Sequence, residues 1–155
     1  MSGKTCWLLL TLLFSLLLLG ACSAPPQTAL VIRVIDGDTI VIQGGHDVRY
    51  IGIDTPEVYP KEEAFGVEAW EANRALVAGK VVRLERDVSE TDRYGRLLRY
   101  VYVDDTMVNA ELVRLGLARS RAYPPDLKYQ DYLDDLEEEA ILADKGIWQN
   151  EGSPS

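Results

Sequence analysis

The order of strand-like and helix-like segments constrains the fold of this chain more than any other feature. Five short runs rich in β-branched residues are separated by turn residues, and apolar residues at helical spacing fill the intervals between or after them. Three of these runs precede the first helical segment and two follow it. The predicted strands are 30–35, 39–43, 47–53, 81–88 and 97–103, and the predicted helices are 62–78, 108–115 and 129–145. This order predicts a small closed barrel with helices packed on it.

The size and composition of the chain agree with one such domain. The chain has 155 residues, of which 47% are hydrophobic, and domains cluster near about 100–150 residues. We predict an α+β fold that is mainly β, a five-stranded OB-type barrel with three packed helices, although other α+β folds share this order. The predicted organisation is a leader at 1–21, a tether at 22–28, the barrel domain at 29–149 and a flexible tail at 150–155.

The leader has the features of an export signal. Lys4 precedes an apolar run over 7–19, which is too short to span a bilayer as a helix. The run ends in Leu-Gly-Ala before Cys22, which resembles the lipobox of bacterial lipoproteins, where the chain is cut before a cysteine that then carries lipid. A plain signal peptide cut near Ala24 and an uncleaved anchor are the alternatives. We therefore expect a lipid anchor on Cys22, which would hold the protein at the outer face of the cytoplasmic membrane or on the outer membrane, with extracellular release as a further outcome.

The charge of the chain excludes some modes of binding. The 16 Lys and Arg residues against 25 Asp and Glu residues give a net charge of −9, so a broad basic field cannot hold nucleic acid. Any polyanion must be held by a few placed cations or by a metal ion. Only Cys6 and Cys22 are cysteines, so the rest of the chain has neither a disulfide framework nor a cysteine zinc site.

Charged residues stand at the ends of the predicted strands, where a rigid barrel usually carries its site. Asp38 and Asp54 are hard carboxylate ligands that suit Ca²⁺ or Mg²⁺. Glu57 follows the second aspartate and could orient or deprotonate a water molecule. Arg49 and Arg96 offer planar pairs of donors that match a phosphate group. These residues together predict water attack on a phosphodiester.

Several distinctive segments lie between about residue 30 and residue 148. The first is Val-Ile-Asp-Gly-Asp-Thr at 34–39, and the second is Arg-Tyr-Ile-Gly-Ile-Asp-Thr-Pro-Glu at 49–57. The third is Thr-Asp-Arg-Tyr-Gly-Arg at 91–96, and segments 108–118 and 146–148 follow it. Together they resemble the staphylococcal (thermonuclease-like) nuclease family over most of the chain. The resemblance implies an OB barrel with three helices and calcium-dependent hydrolysis of DNA and RNA that leaves 3′-phosphate ends.

The resemblance also implies a role for each matching residue. Asp38 and Asp54 would be calcium carboxylates, Thr55 would add its backbone carbonyl, and Asp36 would support this shell from further out. Glu57 would be the general base, and Arg49 and Arg96 would hold the scissile phosphate. The remaining expected contacts with substrate are Arg93, Tyr94 and Tyr123. No protein partner is predicted.

The acidic surface departs from the well-known basic members of the family. Seven acids face two lysines over 128–145, which is a local charge of −5. We therefore predict weak, strongly salt-sensitive affinity for nucleic acid, with catalysis intact once a strand is bound. The alternatives are a non-catalytic OB module that binds an oligonucleotide, an oligosaccharide or a protein, and a structural envelope lipoprotein.

Overall fold

The computed structural model describes residues 27–149, and the predicted leader, Cys22 and the predicted tail lie outside them. The strands are β1 (Thr28–Val34), β2 (Thr39–Ile42), β3 (His46–Tyr50), β4 (Ile53–Asp54), β5 (Val81–Glu85), β6 (Leu97–Val103), β7 (Thr106–Met107) and β8 (Arg119–Ser120). The helices are α1 (Gly66–Val77), α2 (Val108–Arg114) and α3 (Gln130–Leu142), and a 3₁₀ turn covers Gly146–Trp148. None of the helices within this part of the chain is long and apolar enough to cross a membrane.

Five of the strands close into a barrel. Antiparallel pairing runs in the order β3, β2, β1, β5 and β6, and a parallel pairing of β3 with β6 joins the two ends. In that pairing Arg49 lies opposite Leu98, so the strand that carries Arg49 lies beside the strand that begins directly after Arg96. The predicted five-stranded OB-type barrel with three helices is confirmed.

The core fills the barrel and the space under the helices. All four residues of β2 are buried, and the large side chains that are almost fully buried include Tyr50, Tyr100 and Leu133. Burying a large aliphatic side chain contributes about 1.5–3 kcal/mol, so this core makes the barrel a rigid support for the loops at its end.

The third predicted strand is divided into two. Gly52 has a φ of +78°, a left-handed backbone that other residues avoid, and it ends the run that began in β3. The chain then enters β4, which pairs with β8 and not with the barrel strands. Directly after β4, Thr55 contacts Asp38 in the loop between β1 and β2.

Candidate active site

The loop between β1 and β2 brings two aspartates to the end of the barrel. The backbone N–H of Asp38 donates to Oδ1 of Asp36 at 3.0 Å, and Asp38 is only 5% exposed. A Cβ atom at Gly37 would lie 2.6 Å from the Thr55 hydroxyl oxygen. Glycine therefore lets this loop pack directly against the end of β4.

The carboxylate of Asp38 is held from several sides. Its Oδ2 accepts hydrogen bonds from the Thr55 backbone N–H at 2.9 Å and the Thr55 hydroxyl at 3.1 Å, and it lies 2.6 Å from Nη1 of Arg49. Burial raises the pKa of Asp38 to about 7, and the negative charge of Asp36 acts in the same direction. Arg49 and the Thr55 donors oppose that shift.

Arg49 joins the two aspartates that the sequence predicts as metal ligands. Its Nη1 contacts Asp38, and its Nη2 lies 2.9 Å from Oδ1 of Asp54. Both carboxylates therefore face one guanidinium group, which is itself largely buried. The structure brings together Asp38, Asp54, Thr55 and Arg49, with Asp36 next to them.

The donor set fits a hard divalent cation. The carboxylates of Asp38 and Asp54 both lie beside the Arg49 guanidinium, and oxygen ligands are what Ca²⁺ and Mg²⁺ prefer. Within residues 27–149 there is no group of three or more His, Cys, Asp and Glu side chains arranged to hold a metal ion. A cation here would therefore need backbone carbonyl, water or substrate oxygens in addition to the two aspartates.

Glu57 lies on the exposed loop that follows β4. Its backbone N–H donates to Oε2 of Glu63 at 3.1 Å, which ties the loop back on itself. Partial burial raises the pKa of the Glu57 carboxyl, and the charge of Asp36 adds to that shift. The predicted general base is thus close enough to the aspartates to be influenced by their charge.

A groove of about 450 Å³ opens beside Arg49 and contains the other predicted substrate residues, which are Arg93, Tyr94, Arg96 and Tyr123. The guanidinium carbon of Arg93 lies 4.8 Å from the centre of the Tyr94 ring, and Tyr94 is 68% exposed. Nε of Arg96 donates to Asp92 at 2.7 Å. Burial acts to raise the pKa of Asp92. The hydrogen bonds that its carboxylate accepts from Arg96 and from the Tyr94 backbone N–H outweigh burial and hold the pKa below its usual value. Arg96 is thus paired with an ionised carboxylate and lies within the groove.

Sequence reasoning missed three residues that shape this site. Asn73 of α1 is fully buried and donates to the Asp36 carbonyl at 3.0 Å, and Arg121 lies 3.3 Å from Oδ2 of Asp54. Asp126 is also buried and accepts hydrogen bonds from the backbone N–H groups of residues 88 and 89, which fixes the loop that carries Tyr123. The arginines at 119 and 121 mark the segment before Tyr123 as basic, but they do not identify Arg121 as a partner of Asp54. A polar residue in a helix likewise gives no sign that it is buried.

The fold and this site define an OB-type barrel with a carboxylate and arginine cluster at the head of an arginine-lined groove. Residues 47–150 match the family described as staphylococcal nuclease homologue. The chain belongs to the staphylococcal nuclease family.

Individual relatives are similar over most of the chain. It is 42% identical over 137 residues to a thermonuclease of Staphylococcus hyicus, which covers 84% of this chain and 81% of the relative. A thermonuclease of Staphylococcus intermedius is 42% identical over 129 residues, which covers 79% of this chain and 77% of the relative. Endonuclease YncB of Bacillus subtilis is 41% identical over 129 residues, 77% of this chain and 61% of the relative.

Proposed function

We propose that this protein is a nuclease, a hydrolase that cleaves phosphodiester bonds of DNA or RNA with Ca²⁺ as its cofactor. One observation carries the proposal: Arg49 joins Asp38 and Asp54 at the head of a groove that also contains Arg96. Two carboxylates can hold a cation and the guanidinium groups can hold a phosphate, so both requirements of phosphodiester hydrolysis meet in one place. Membership of the family and the relatives named thermonuclease and endonuclease support it.

The aspartates would hold the calcium ion. Asp38 and Asp54 supply carboxylate oxygens, Thr55 supplies its carbonyl, and Asp36 supports the loop that positions Asp38. Ca²⁺ takes six to eight oxygen ligands, so water and substrate oxygens complete the set. When bound, the ion supplies positive charge that polarises the phosphate.

Arg49 and Arg96 bind the scissile phosphate and offset the charge that develops on its oxygens. The backbone N–H of Arg96 donates to Asp92, and of its guanidinium group only Nε does so, although that group has five N–H donors. Its terminal Nη donors are therefore free of that pairing and can reach a phosphate in the groove. Asp92 acts as a positioning residue that fixes the direction of the Arg96 side chain.

Glu57 accepts the proton of the attacking water. The water oxygen forms a bond to phosphorus while the bond from phosphorus to the 5′ oxygen breaks, and that oxygen takes up a proton. The products carry a 3′-phosphate and a 5′-hydroxyl. Arg93, Tyr94 and Tyr123 hold the neighbouring nucleotide in the groove by charge and by ring contacts.

The protein would act at the cell envelope. The apolar run followed by Leu-Gly-Ala before Cys22 supports a lipid anchor, and the anchor would place the barrel outside the cytoplasm. Because the lipid would be attached to Cys22, the barrel itself would not need to contact the membrane.

Cell fractionation combined with a cleavage assay tests both parts of the proposal. We expect calcium-dependent cleavage of DNA or RNA in the membrane fraction, loss of cleavage with a chelator, and recovery when calcium is restored. The wild type should incorporate a labelled fatty acid and begin at residue 22, whereas the Cys22→Ala variant should incorporate no label and keep its leader. Full cleavage in chelator would refute the calcium requirement, and a wild type that carries no label would refute the lipid anchor.

A further inference from the structure

Arg121 occupies a position that the proposed catalytic residues do not account for. It directly follows β8, and its backbone N–H donates to the Gly52 carbonyl at 2.9 Å, which fixes the backbone beside β4. Nη1 of Arg121 lies 3.3 Å from Oδ2 of Asp54, and its guanidinium carbon lies 5.9 Å from the centre of the Tyr123 ring. Its side chain is nevertheless 60% exposed. Arg121 is therefore anchored at its backbone and accessible at its charged end.

Arg121 contacts one lining residue of each of two cavities. The first is the groove that contains Arg49 and Tyr123. The second, also about 450 Å³, is lined by Asp54, Thr55, Phe65 and Arg119 among others. Arg121 contacts Tyr123 of the first lining and Asp54 of the second, and we call this position between the two linings the junction.

The ion pair with Asp54 does not explain Arg121 as a stabilising residue. Exposed ion pairs contribute about 0–1 kcal/mol. Asp54 is already paired at 2.9 Å with the largely buried Arg49, on its other carboxylate oxygen. A guanidinium group has five N–H donors, and within residues 27–149 only Nη1 of Arg121 is paired with a carboxylate. The other donors lie beside the proposed cleavage site and are suited to binding an anion. A chain with a net charge of −9 needs such placed cations to hold a polyanion.

We propose that the nucleic acid strand continues from the groove into the second cavity, and that Arg121 binds the phosphate next to the scissile one at the junction. This inference rests on the proposed function. Arg121 is then a substrate-binding residue, which extends the site past Asp54 towards the second cavity.

Short substrates of defined length test this inference. The full chain in mild detergent is assayed with a dinucleotide, which has one phosphodiester, and with the same dinucleotide lengthened by one nucleotide at either end. We expect Arg121→Ala to raise KM about tenfold for one of the lengthened substrates, with kcat unchanged and with little effect on the dinucleotide. Arg121→Lys, which keeps the charge but loses the paired donors, should give an intermediate KM.

The matched control is Arg74→Ala. Arg74 is also an exposed arginine over an aromatic ring, at 5.3 Å from the centre of Trp70, and it lies on α1 away from both cavities. Its loss should leave KM unchanged for every substrate. An equal effect of Arg121→Ala on all three substrates, or a fall in kcat alone, would show that Arg121 acts only through Asp54 and would overturn the inference.

Equilibrium binding separates this inference from the proposed function. In chelator, where no cleavage is expected, the slope of log affinity against log salt for a long single strand should be smaller by about 0.7 in Arg121→Ala, because one phosphate contact is lost. An unchanged slope overturns the inference. If the wild type binds in this way but cleaves nothing in calcium, the proposed function fails while the Arg121 contact stands.

Discussion

At the scale of single residues, Glu57 offers the clearest test of the proposed chemistry. It is exposed on its loop, so the Glu57→Gln substitution should leave the melting temperature unchanged. An amide cannot accept the proton of the attacking water, and general base catalysis typically contributes a factor of about 10²–10⁴. We therefore expect kcat to fall by that factor. Steady-state kinetics in saturating calcium measures it, with the nearby exposed Glu62→Gln as the control. Near wild-type turnover in Glu57→Gln would remove the role proposed for this residue.

The predicted metal ligands and catalytic residues share one property: each stands in a short motif at or beside the end of a strand. Asp38, Arg49 and Asp54 could be named because charge interrupts an apolar pattern at those positions, and the structure brings them into contact. Asn73 and Arg121 could not be named in the same way. Their importance comes from contacts across 37 and 67 residues of chain, and no local pattern reports a contact over such a distance.

At the scale of elements, helix α1 holds the loop between β1 and β2 in place. Asn73 accepts a hydrogen bond from the Tyr50 hydroxyl at 2.8 Å and donates to the Asp36 carbonyl. Its replacement by alanine leaves the buried Tyr50 hydroxyl and the partly buried Asp36 carbonyl without this partner. We expect Asn73→Ala to lower the free energy of unfolding by about 2 kcal/mol in urea titrations, and to weaken calcium binding because the loop that positions Asp38 loses its support.

Val77→Ala is the control on the same helix. Val77 is fully buried in the core, and its truncation should destabilise the protein by about 1–3 kcal/mol without touching that loop. Calcium affinity, measured by calorimetry, should then fall in Asn73→Ala and stay unchanged in Val77→Ala. Equal calcium affinity in the two variants would show that α1 contributes stability alone.

The boundaries of elements show where sequence patterns reach their limit. The strand at 97–103 was predicted correctly, because alternation and flanking turn residues define it. The helix predicted from residue 62 begins instead at Gly66, since Phe65 has a φ of +67° and its left-handed backbone cannot belong to a right-handed helix. The two-residue strands β4 and β8 were not predicted, because each exists only through pairing with the other. These short strands are nevertheless what places Arg121 beside Asp54.

At the scale of the whole molecule, the order of segments was compatible with the barrel but also with other α+β folds, and the resemblance to the nuclease family singled out the barrel. Local hydrogen bonding and alternation define the five barrel strands. The barrel closes because β3, the third of them, pairs with β6, the last. The order could not predict how the loop between β1 and β2 packs against Thr55, because that packing depends on the close approach of the backbone at Gly37. The net charge is a further property of the whole molecule, because acids far from the groove also repel a phosphate that is bound in it.

The acidic surface should oppose substrate binding as a collective field. In 10 mM salt the screening length is about 30 Å, so an acid anywhere on a barrel of this size acts on a phosphate in the groove. Two neutralised carboxylates at roughly 15 Å each remove about 0.3 kcal/mol of repulsion per phosphate. We therefore expect the pair Glu138→Gln and Glu139→Gln on α3 to raise DNA affinity about twofold to fivefold, with kcat unchanged.

The pair Asp104→Asn and Asp105→Asn, on the turn between β6 and β7, changes the net charge equally and should act similarly. Fluorescence anisotropy at 10 mM and 500 mM salt measures both, and neither pair should matter at the higher concentration, where screening acts within a few ångströms. A gain that persists in high salt, or that only the α3 pair produces, would mean that these acids act by local contact with the strand and not through the field of the whole molecule.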